Sequence, residues 1–365
     1  MGAYMKVHEL LEKRGLPSLL TFNDGSPVRT SDDFEKRREE IKQILQEKEY
    51  GMIPPKPDHM RVELEESQIP FAAGRAKLSK LRFIFEIGDK EFSFPAVSII
   101  PTDEGKHPAF VHINFFPEIP NKYQPTEDII NRGYAIFSIC YKDVTSDDND
   151  FMNGIAPHLC KSRRRKSSTS KIAIWAWAAM RVMDYIEALD CIDNENVAVI
   201  GHSRLGKTAL VAGGFDERFK YVISNDSGMS GAAITRGKIG EDAPTITKVF
   251  PYWFCPWYID HADESDTHEF DQHFLNALTV PRHLMIGSAE LDTWADPTSE
   301  FLGALAVNEA YELYGMRGLV HGDEVPMAEC TLDEGESHYH IRTDRHYLSN
   351  RDWNYYLNFI DKYVK

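Results

Sequence analysis

The chain has 365 residues, 42% hydrophobic and 12% aromatic, which is enough for a substantial core in one large domain or two ordinary ones. Its formal charge of −16 at pH 7 argues against nucleic acid and anionic membrane surfaces as partners, because the long-range field repels both. The longest apolar runs are strand length, far short of the ~20 residues of a membrane span, and the five scattered cysteines (Cys140, Cys160, Cys191, Cys255, Cys330) have neither disulfide-framework nor metal-ligand spacing and read as mostly buried thiols.

The N-terminal stretch lacks the long apolar core of a secretory signal, so the expectation is a cytoplasmic protein or one whose leader has been removed. Residues 1–30 read as an irregular arm. Ser31 is placed to cap a charged helix over residues 32–48, with Phe34, Ile41 and Leu45 on one face, and Pro54, Pro55 and Pro57 end that segment. Around residues 60–64, 81–87 and 92–100 apolar and polar residues alternate, the pattern of a half-buried antiparallel meander. From Pro108 the texture changes: residues 109–115 and 134–141 are apolar runs of the kind covered by helices on both faces, the mark of a parallel sheet. Between them Asn114-Phe115-Phe116-Pro117 follows a strand end, where it reads equally as the source of an oxyanion-hole amide or as a packed aromatic turn. The basic run Lys161-Ser162-Arg163-Arg164-Arg165-Lys166 reads as a solvated loop.

Ser170 then opens an apolar helix carrying Ile172, Trp175, Ala179, Met183 and Ile186 on one stripe and ending near Leu189. It leads into Asn196-Val197-Ala198-Val199-Ile200-Gly201-His202-Ser203-Arg204-Leu205-Gly206-Lys207-Thr208, a β-branched run, a glycine-bracketed turn and a helix start. A strand over residues 221–224 follows, ending in Asn225-Asp226-Ser227-Gly228. Residues 229–280 lose regular periodicity and hold the aromatic cluster Phe250, Tyr252, Trp253, Phe254, Trp257 and Tyr258, which reads as a lid-like insertion over the carboxyl edge of the sheet. A strand at 283–287 delivers Asp292, a helix spans 301–314, and a last strand near 339–342 leads to His346. Ser349 caps the final helix, with Trp353, Tyr356, Leu357 and Ile360 facing the core. The order is that of an α/β fold of the α/β-hydrolase type. It predicts a three-layer sandwich in a single domain over residues 1–365, a mostly parallel central sheet with an antiparallel N-terminal edge, an arm and helix over 1–58 and the insertion at 229–280.

The turn after residue 200 has two readings. As a nucleophile elbow it lifts Ser203 onto a sharp strand-to-helix turn; as a phosphate-binding loop, Gly201 to Thr208 fits G-x-x-x-x-G-K-[ST], and Asp226 could pass for the accompanying acid of a nucleotide-binding protein. Placement favours the elbow. A phosphate loop usually opens its domain, whereas this motif follows several strands, and Ser203, Asp292 and His346 come in the hydrolase order of serine, acid and histidine, each past a strand end. Leu205 stands where the usual elbow has its second glycine, which arrives one residue later at Gly206.

The longer stretch Gly201-His202-Ser203-Arg204-Leu205-Gly206-Lys207 resembles the G-x-S-R-x-G-K signature of the glucuronoyl esterases, carbohydrate esterase family fifteen, in its bacterial form. The similarity extends through Trp175-Ala176-Trp177, Ser224-Asn225-Asp226-Ser227-Gly228, Trp253-Phe254-Cys255, Asp271-Gln272-His273, Trp294-Ala295-Asp296-Pro297 and Tyr339-His340-Ile341-Arg342, and covers about residues 100–365. It implies a serine esterase acting on esters of glucuronic acid or its 4-O-methyl form in glucuronoxylan, without metal or cofactor. An acetyl xylan or other carbohydrate esterase is the alternative within the class.

Ser203 is the candidate nucleophile and His346 the candidate base, with His338 and His340, two apart on one strand face, competing as core residues or metal ligands. His202 and His273 read as structural. For the acid, Asp292 is preferred and Asp226, after the preceding strand, is kept as the alternative. The backbone N–H of Arg204 is placed for the oxyanion, and the resemblance implies that its guanidinium assists. The resemblance also assigns Lys207 and Glu241 to sugar hydroxyls and Trp294 to a wall of the sugar site. His202 and Tyr347 stand where fungal relatives place a cystine, so that cross-link is expected to be absent.

Overall fold

Alternating polarity builds the first part of the molecule, three long antiparallel strands, His59–Phe71 (β1), Ala76–Ile87 (β2) and Lys90–Pro101 (β3). A computed structural model describes residues 6–88, 90–160 and 162–364; the first five residues of the expected arm and Lys161 of the basic run lie outside them. The exposed edge strand β1 carries Glu65 and Glu66, which pair with Arg82 and Lys80 of β2, a charged edge that discourages pairing with another chain. The strands His107–Asn114 (β4), Ala135–Cys140 (β5), Ile192–His202 (β6), Tyr221–Asn225 (β7), His283–Ala289 (β8), Cys330–Leu332 (β9) and His338–Arg342 (β10) complete one sheet, in the order β1-β2-β3-β5-β4-β6-β7-β8-β10-β9. From β5 to β10 the neighbours are parallel, while β3 and β9 join antiparallel.

Side chains leave the parallel strands alternately to two apolar layers. Val111 and Val199 face one layer, with Trp175, Trp177 and the helix Arg204–Phe215. Phe110, Ile200 and Ile223 face the other, with Ile129, Trp353, Leu357 and Ile360. This is the three-layer α/β-hydrolase arrangement, and its antiparallel edge is the predicted meander. The helix Lys171–Ile186 begins at Ser170, whose hydroxyl accepts from the Ala173 amide at 3.2 Å. It is buried nearly all round rather than on one stripe, because the N-terminal segment covers its outer side; there Trp177 Nε1 donates to the Pro55 carbonyl at 2.9 Å.

Several expectations need correction. The N-terminal arm contains a helix, Val7–Arg14, closed by Gly15 at φ 59°. Only Val7 in it is buried, so its apolar face is narrow and its sequence signal was masked by flanking charge. The helix Ser31–Lys48 is capped by Thr30, whose hydroxyl accepts from the Asp33 amide at 3.1 Å, and not by Ser31. The helix expected over 301–314 is two segments, Pro297–Leu305 and Asn308–Glu312; it starts early because Asp296 caps it and Pro297 supplies a preset first position. Strand β9 had no alternation long enough to be noticed. Residues 229–280 contain the short helices Ala243–Val249, Pro256–Asp260 and His273–Ala277, and within that segment Trp253, Phe254, Tyr258 and Phe274 are buried. Cys140, Cys160 and Cys255 are buried free thiols, Cys330 is partly buried and Cys191 is exposed. Among the described residues no helix is long and apolar enough to cross a membrane.

Below the carboxyl end of β10, Asp352 accepts from His340 Nε2 at 2.8 Å, from Arg342 Nε at 2.8 Å and from the Ser349 hydroxyl at 2.7 Å. Burial alone would raise this carboxyl; the His340 bond and charge, then Arg342 and Ser349, outweigh it and hold it at about 2. A pKa below the unfolded value of ~3.9 means that the ionised group stabilises the fold fully above about pH 4 and loses that contribution as pH falls through 2. Urea unfolding of Asp352→Asn is expected to show roughly 2 kcal/mol less acid destabilisation than the parent over that interval; an unchanged pH slope would remove Asp352 from the account of acid stability.

Candidate active site

The parallel strands end on one side, and the carboxyl ends of β5, β6, β7, β8 and β10 supply the polar groups. Between β6 and the helix Arg204–Phe215, Ser203 sits at φ 58°, ψ −127°, a strained conformation for a non-glycine residue. The turn is so tight that a Cβ at Gly201 would overlap the Leu205 carbonyl, which is why glycine precedes it. The Ser203 amide donates to the Asn225 carbonyl of β7 at 2.9 Å, tying the elbow to the sheet.

Asp292 follows β8 and His346 follows β10, and because β8 and β10 are direct neighbours their loops meet over Ser203. His346 Nε2 lies 2.8 Å from Ser203 Oγ, and His346 Nδ1 lies 2.6 Å from Asp292 Oδ2. With Nδ1–H donating to the carboxylate, Nε2 presents its lone pair to the serine hydroxyl. Asp292 is buried, which would raise its carboxyl, but the His346 bond and charge and the Ala295 amide outweigh burial and keep it below the usual range. This arrangement can draw a proton from Ser203 and stabilise the imidazolium that results.

Asp226, the alternative acid, follows β7 at φ 44° and also lines the cavity beside Ser203, but its hydrogen bonds go to another loop. Its Oδ2 accepts from Arg342 Nη2 at 3.2 Å and from the Tyr347 amide at 3.4 Å. Burial first, then the neighbouring Glu300 and Asp352 charges, push its carboxyl well up, against the pull of Arg342. Asp226, Asp292 and His346 present ligand atoms within 4.8 Å of one another, the group among the described residues that could hold a metal ion; two of those atoms are already joined by the 2.6 Å hydrogen bond.

Arg204 opens the helix after the serine. Its guanidinium lies 4.7 Å over the Trp253 ring and pairs with Asp147, whose other oxygen accepts from Trp253 Nε1 at 2.8 Å and which also takes the Tyr141 hydroxyl at 3.0 Å. Asp147 thus aims Arg204. Sequence reasoning missed it, although its position soon after the end of β5 was a usable signal. Lys207 is buried, donates to the Ser227 carbonyl and has its ammonium pushed down to about 8, by burial first and against the attraction of Glu241. That carbonyl and the nearby Trp253 ring make a poor phosphate cradle, so the structure lends the phosphate-loop reading no support. A cavity of about 220 Å³ beside Ser203 is lined by Lys207, Glu241, Trp253, Trp294 and His346 among others. Trp294 is 56% exposed and forms an open wall.

The other histidines considered for the site, His338, His340, His273 and His202, have structural partners. His338 and His340 are buried and bonded to each other at 3.0 Å, and His273 Nε2 donates to the Pro17 carbonyl at 2.8 Å. His202 Nδ1 bonds Asn225 Oδ1 at 2.7 Å, and burial holds it near 3, in the neutral form. In the turn after β4, the Phe116 amide donates to Asn114 Oδ1 at 3.3 Å and the Phe115 ring packs on Tyr123 and Tyr141, the aromatic-turn alternative.

Comparison with known proteins gives a consistent picture. Residues 85–315 match the family described as glucuronyl esterase, fungi. A carbohydrate esterase from an unknown prokaryotic organism is 33% identical, over 96% of this chain and 90% of its own length. A 4-O-methyl-glucuronoyl methylesterase from Schizophyllum commune is 29% identical over 82% of this chain and 74% of its own. The structure of a glucuronoyl esterase from Solibacter usitatus superposes with a TM-score of 0.88 at 30% identity, covering 95% of this chain and 97% of that one.

A phosphonylating reagent is expected to add once to Ser203, read by intact mass and peptide mapping, and His346→Ala should slow the addition on the order of 10²-fold. Equal rates in both proteins would separate the serine's reactivity from His346.

Proposed function

The chain belongs to the glucuronoyl esterase family, and from that premise we propose that it hydrolyses esters of glucuronic acid and its 4-O-methyl form, as they occur in glucuronoxylan linked to lignin alcohols. It is a carboxylic ester hydrolase on this reading. The observation that carries the proposal is His346, held between Ser203 Oγ and Asp292 Oδ2, at the mouth of a cavity lined by Lys207, Glu241 and Trp294.

Ser203 Oγ attacks the ester carbonyl as His346 Nε2 takes its proton, and Asp292 holds the imidazolium. The oxyanion of the tetrahedral intermediate meets the Arg204 amide at the helix start, with the guanidinium aimed by Asp147 adding positive charge. Collapse breaks the bond to the alcohol oxygen, which leaves with the proton from Nε2. Water then attacks the acyl-enzyme with His346 again as base, releasing glucuronate and restoring Ser203. Lys207 and Glu241 hold sugar hydroxyls while Trp294 covers a face of the ring, and residues 229–280 act as the binding wall that brings Trp253 against Arg204. A neutral ester does not oppose the negative protein, whereas the charged product is repelled by it.

Benzyl glucuronate is expected to be turned over far better than 4-nitrophenyl acetate, with Ser203→Ala inactive on both; a preference for the acetate would favour the broader carbohydrate-esterase reading. Asp292→Asn should lower turnover on the order of 10⁴-fold, as for a triad acid. Steady-state kinetics in which Asp226→Asn shows that loss while Asp292→Asn stays near the parent rate would move the acid role to Asp226.

A further inference from the structure

Glu241 and Trp294, both assigned to the sugar, come from different loops, and neither lies in a helix or strand. Glu241 precedes the helix Ala243–Val249, and Trp294 belongs to the loop after β8. Trp294 is more than half exposed, so the course of its backbone, and not the packing of its ring, sets where the indole stands. One carbonyl oxygen joins the two loops. That of Trp294 accepts from the Glu241 amide at 3.1 Å and from the Lys238 ammonium at 2.8 Å.

The same ammonium donates to the Ile239 carbonyl at 2.7 Å, so it bridges its own loop to the Trp294 loop. Two further contacts keep the loops together. The Ile239 amide donates to Asp296 Oδ2 at 3.0 Å, and that oxygen is fixed in turn by the Ser299 hydroxyl at 2.6 Å. Gly240, at φ 75°, lets the backbones approach so closely that a Cβ there would overlap the Thr293 and Trp294 carbonyls. Lys238 does not line the cavity beside Ser203, whereas Glu241 and Trp294 do. Its charge nonetheless reaches the site. Burial lowers its ammonium, against the pull of Asp296 first and then of Glu241, and Glu241 also attracts Lys207. A neutral side chain in place of Lys238 would leave the Trp294 carbonyl with the Glu241 amide alone.

We propose that Lys238 is a positioning residue for sugar recognition: it clasps the Glu241 loop to the Trp294 loop and so sets the spacing between the carboxylate and the indole that hold the glucuronoyl ring. The proposal rests on the glucuronoyl-ester reading, in which Glu241 and Trp294 meet the sugar, and adds a residue that acts through them. Contacts to the ring change little as the ester carbonyl becomes tetrahedral. They hold ground state and transition state alike, so their loss appears in KM and leaves kcat.

The test measures kcat and KM for benzyl glucuronate, and kcat/KM for 4-nitrophenyl acetate, which has no sugar, in the parent, Lys238→Met and Lys238→Arg. In Lys238→Met the expected KM for benzyl glucuronate is about tenfold higher with kcat near the parent value, the scale of one hydrogen bond from a charged donor. The glucuronate-to-acetate ratio of kcat/KM falls by the same factor. Lys238→Arg, which keeps the charge and a pair of donors, is expected to restore most of both. In a Glu241→Ala background Lys238→Met should add little, since the group it places is gone. Equal losses on both substrates, an unchanged KM, or effects that multiply in the double variant overturn the clasp while leaving the glucuronoyl-ester reading standing. A parent enzyme that hydrolyses 4-nitrophenyl acetate but not benzyl glucuronate overturns both.

Discussion

The reversal of the chain at Ser203 is the constraint around which the rest is built. A residue with a Cβ is held at φ 58° between a strand that is buried from Val197 to His202 and a buried helix, a conformation that costs on the order of 1–3 kcal/mol and persists only where neighbours over-determine it. Here they do so from both sides. Gly201 lets the Leu205 carbonyl close over the turn, the Asn225 carbonyl of the next strand takes the serine amide, and Gly206 permits the helix to approach Ser224 and Ser227. The outcome is a hydroxyl raised above the carboxyl edge of the sheet, with the first amides of a helix beside it.

His346 reaches that hydroxyl because a buried ionic network fixes its loop. Arg342, at the end of β10, spends its guanidinium on Asp352, on Asp226 and on the carbonyls of Arg345 and Tyr347, the residues that flank the histidine. A charged group so enclosed must be fully paired, and satisfying it pins both shoulders of the loop. Asp226 therefore has a structural occupation in this molecule, which gives a physical reason for Asp292 to be the carboxylate that meets His346. The same logic governs Arg204, whose aim depends on Asp147, a residue held in turn by Tyr141 and Trp253 from separate parts of the chain.

Much of this was legible in the residues. Hydrophobic runs marked the parallel strands, alternation marked the antiparallel edge, and Ser170 and Ser349 marked helix starts because a side-chain oxygen satisfies an otherwise orphaned amide. The helix Val7–Arg14 escaped notice because a short segment with one buried residue has almost no periodic signal. The short helices of residues 229–280 escaped for a related reason: their aromatic residues are buried by contacts with the body of the protein, not along a repeating face.

By itself the sequence determined the layer architecture, the elbow, and Ser203, His346, Asp292 and Asp226 as groups past strand ends, while the parts of the Arg204 guanidinium and Lys207 came from the resemblance to the family. Only the tertiary structure decided which of these meet. The choice between Asp292 and Asp226 depends on β10 lying beside β8 and on Arg342 having claimed Asp226. The pairing of Asp147 with Arg204, and the approach of His346 to Ser203, bring together residues 57 and 143 positions apart. Strand order and ring packing are set by burial summed over the whole sheet, and no window of the sequence contains that sum.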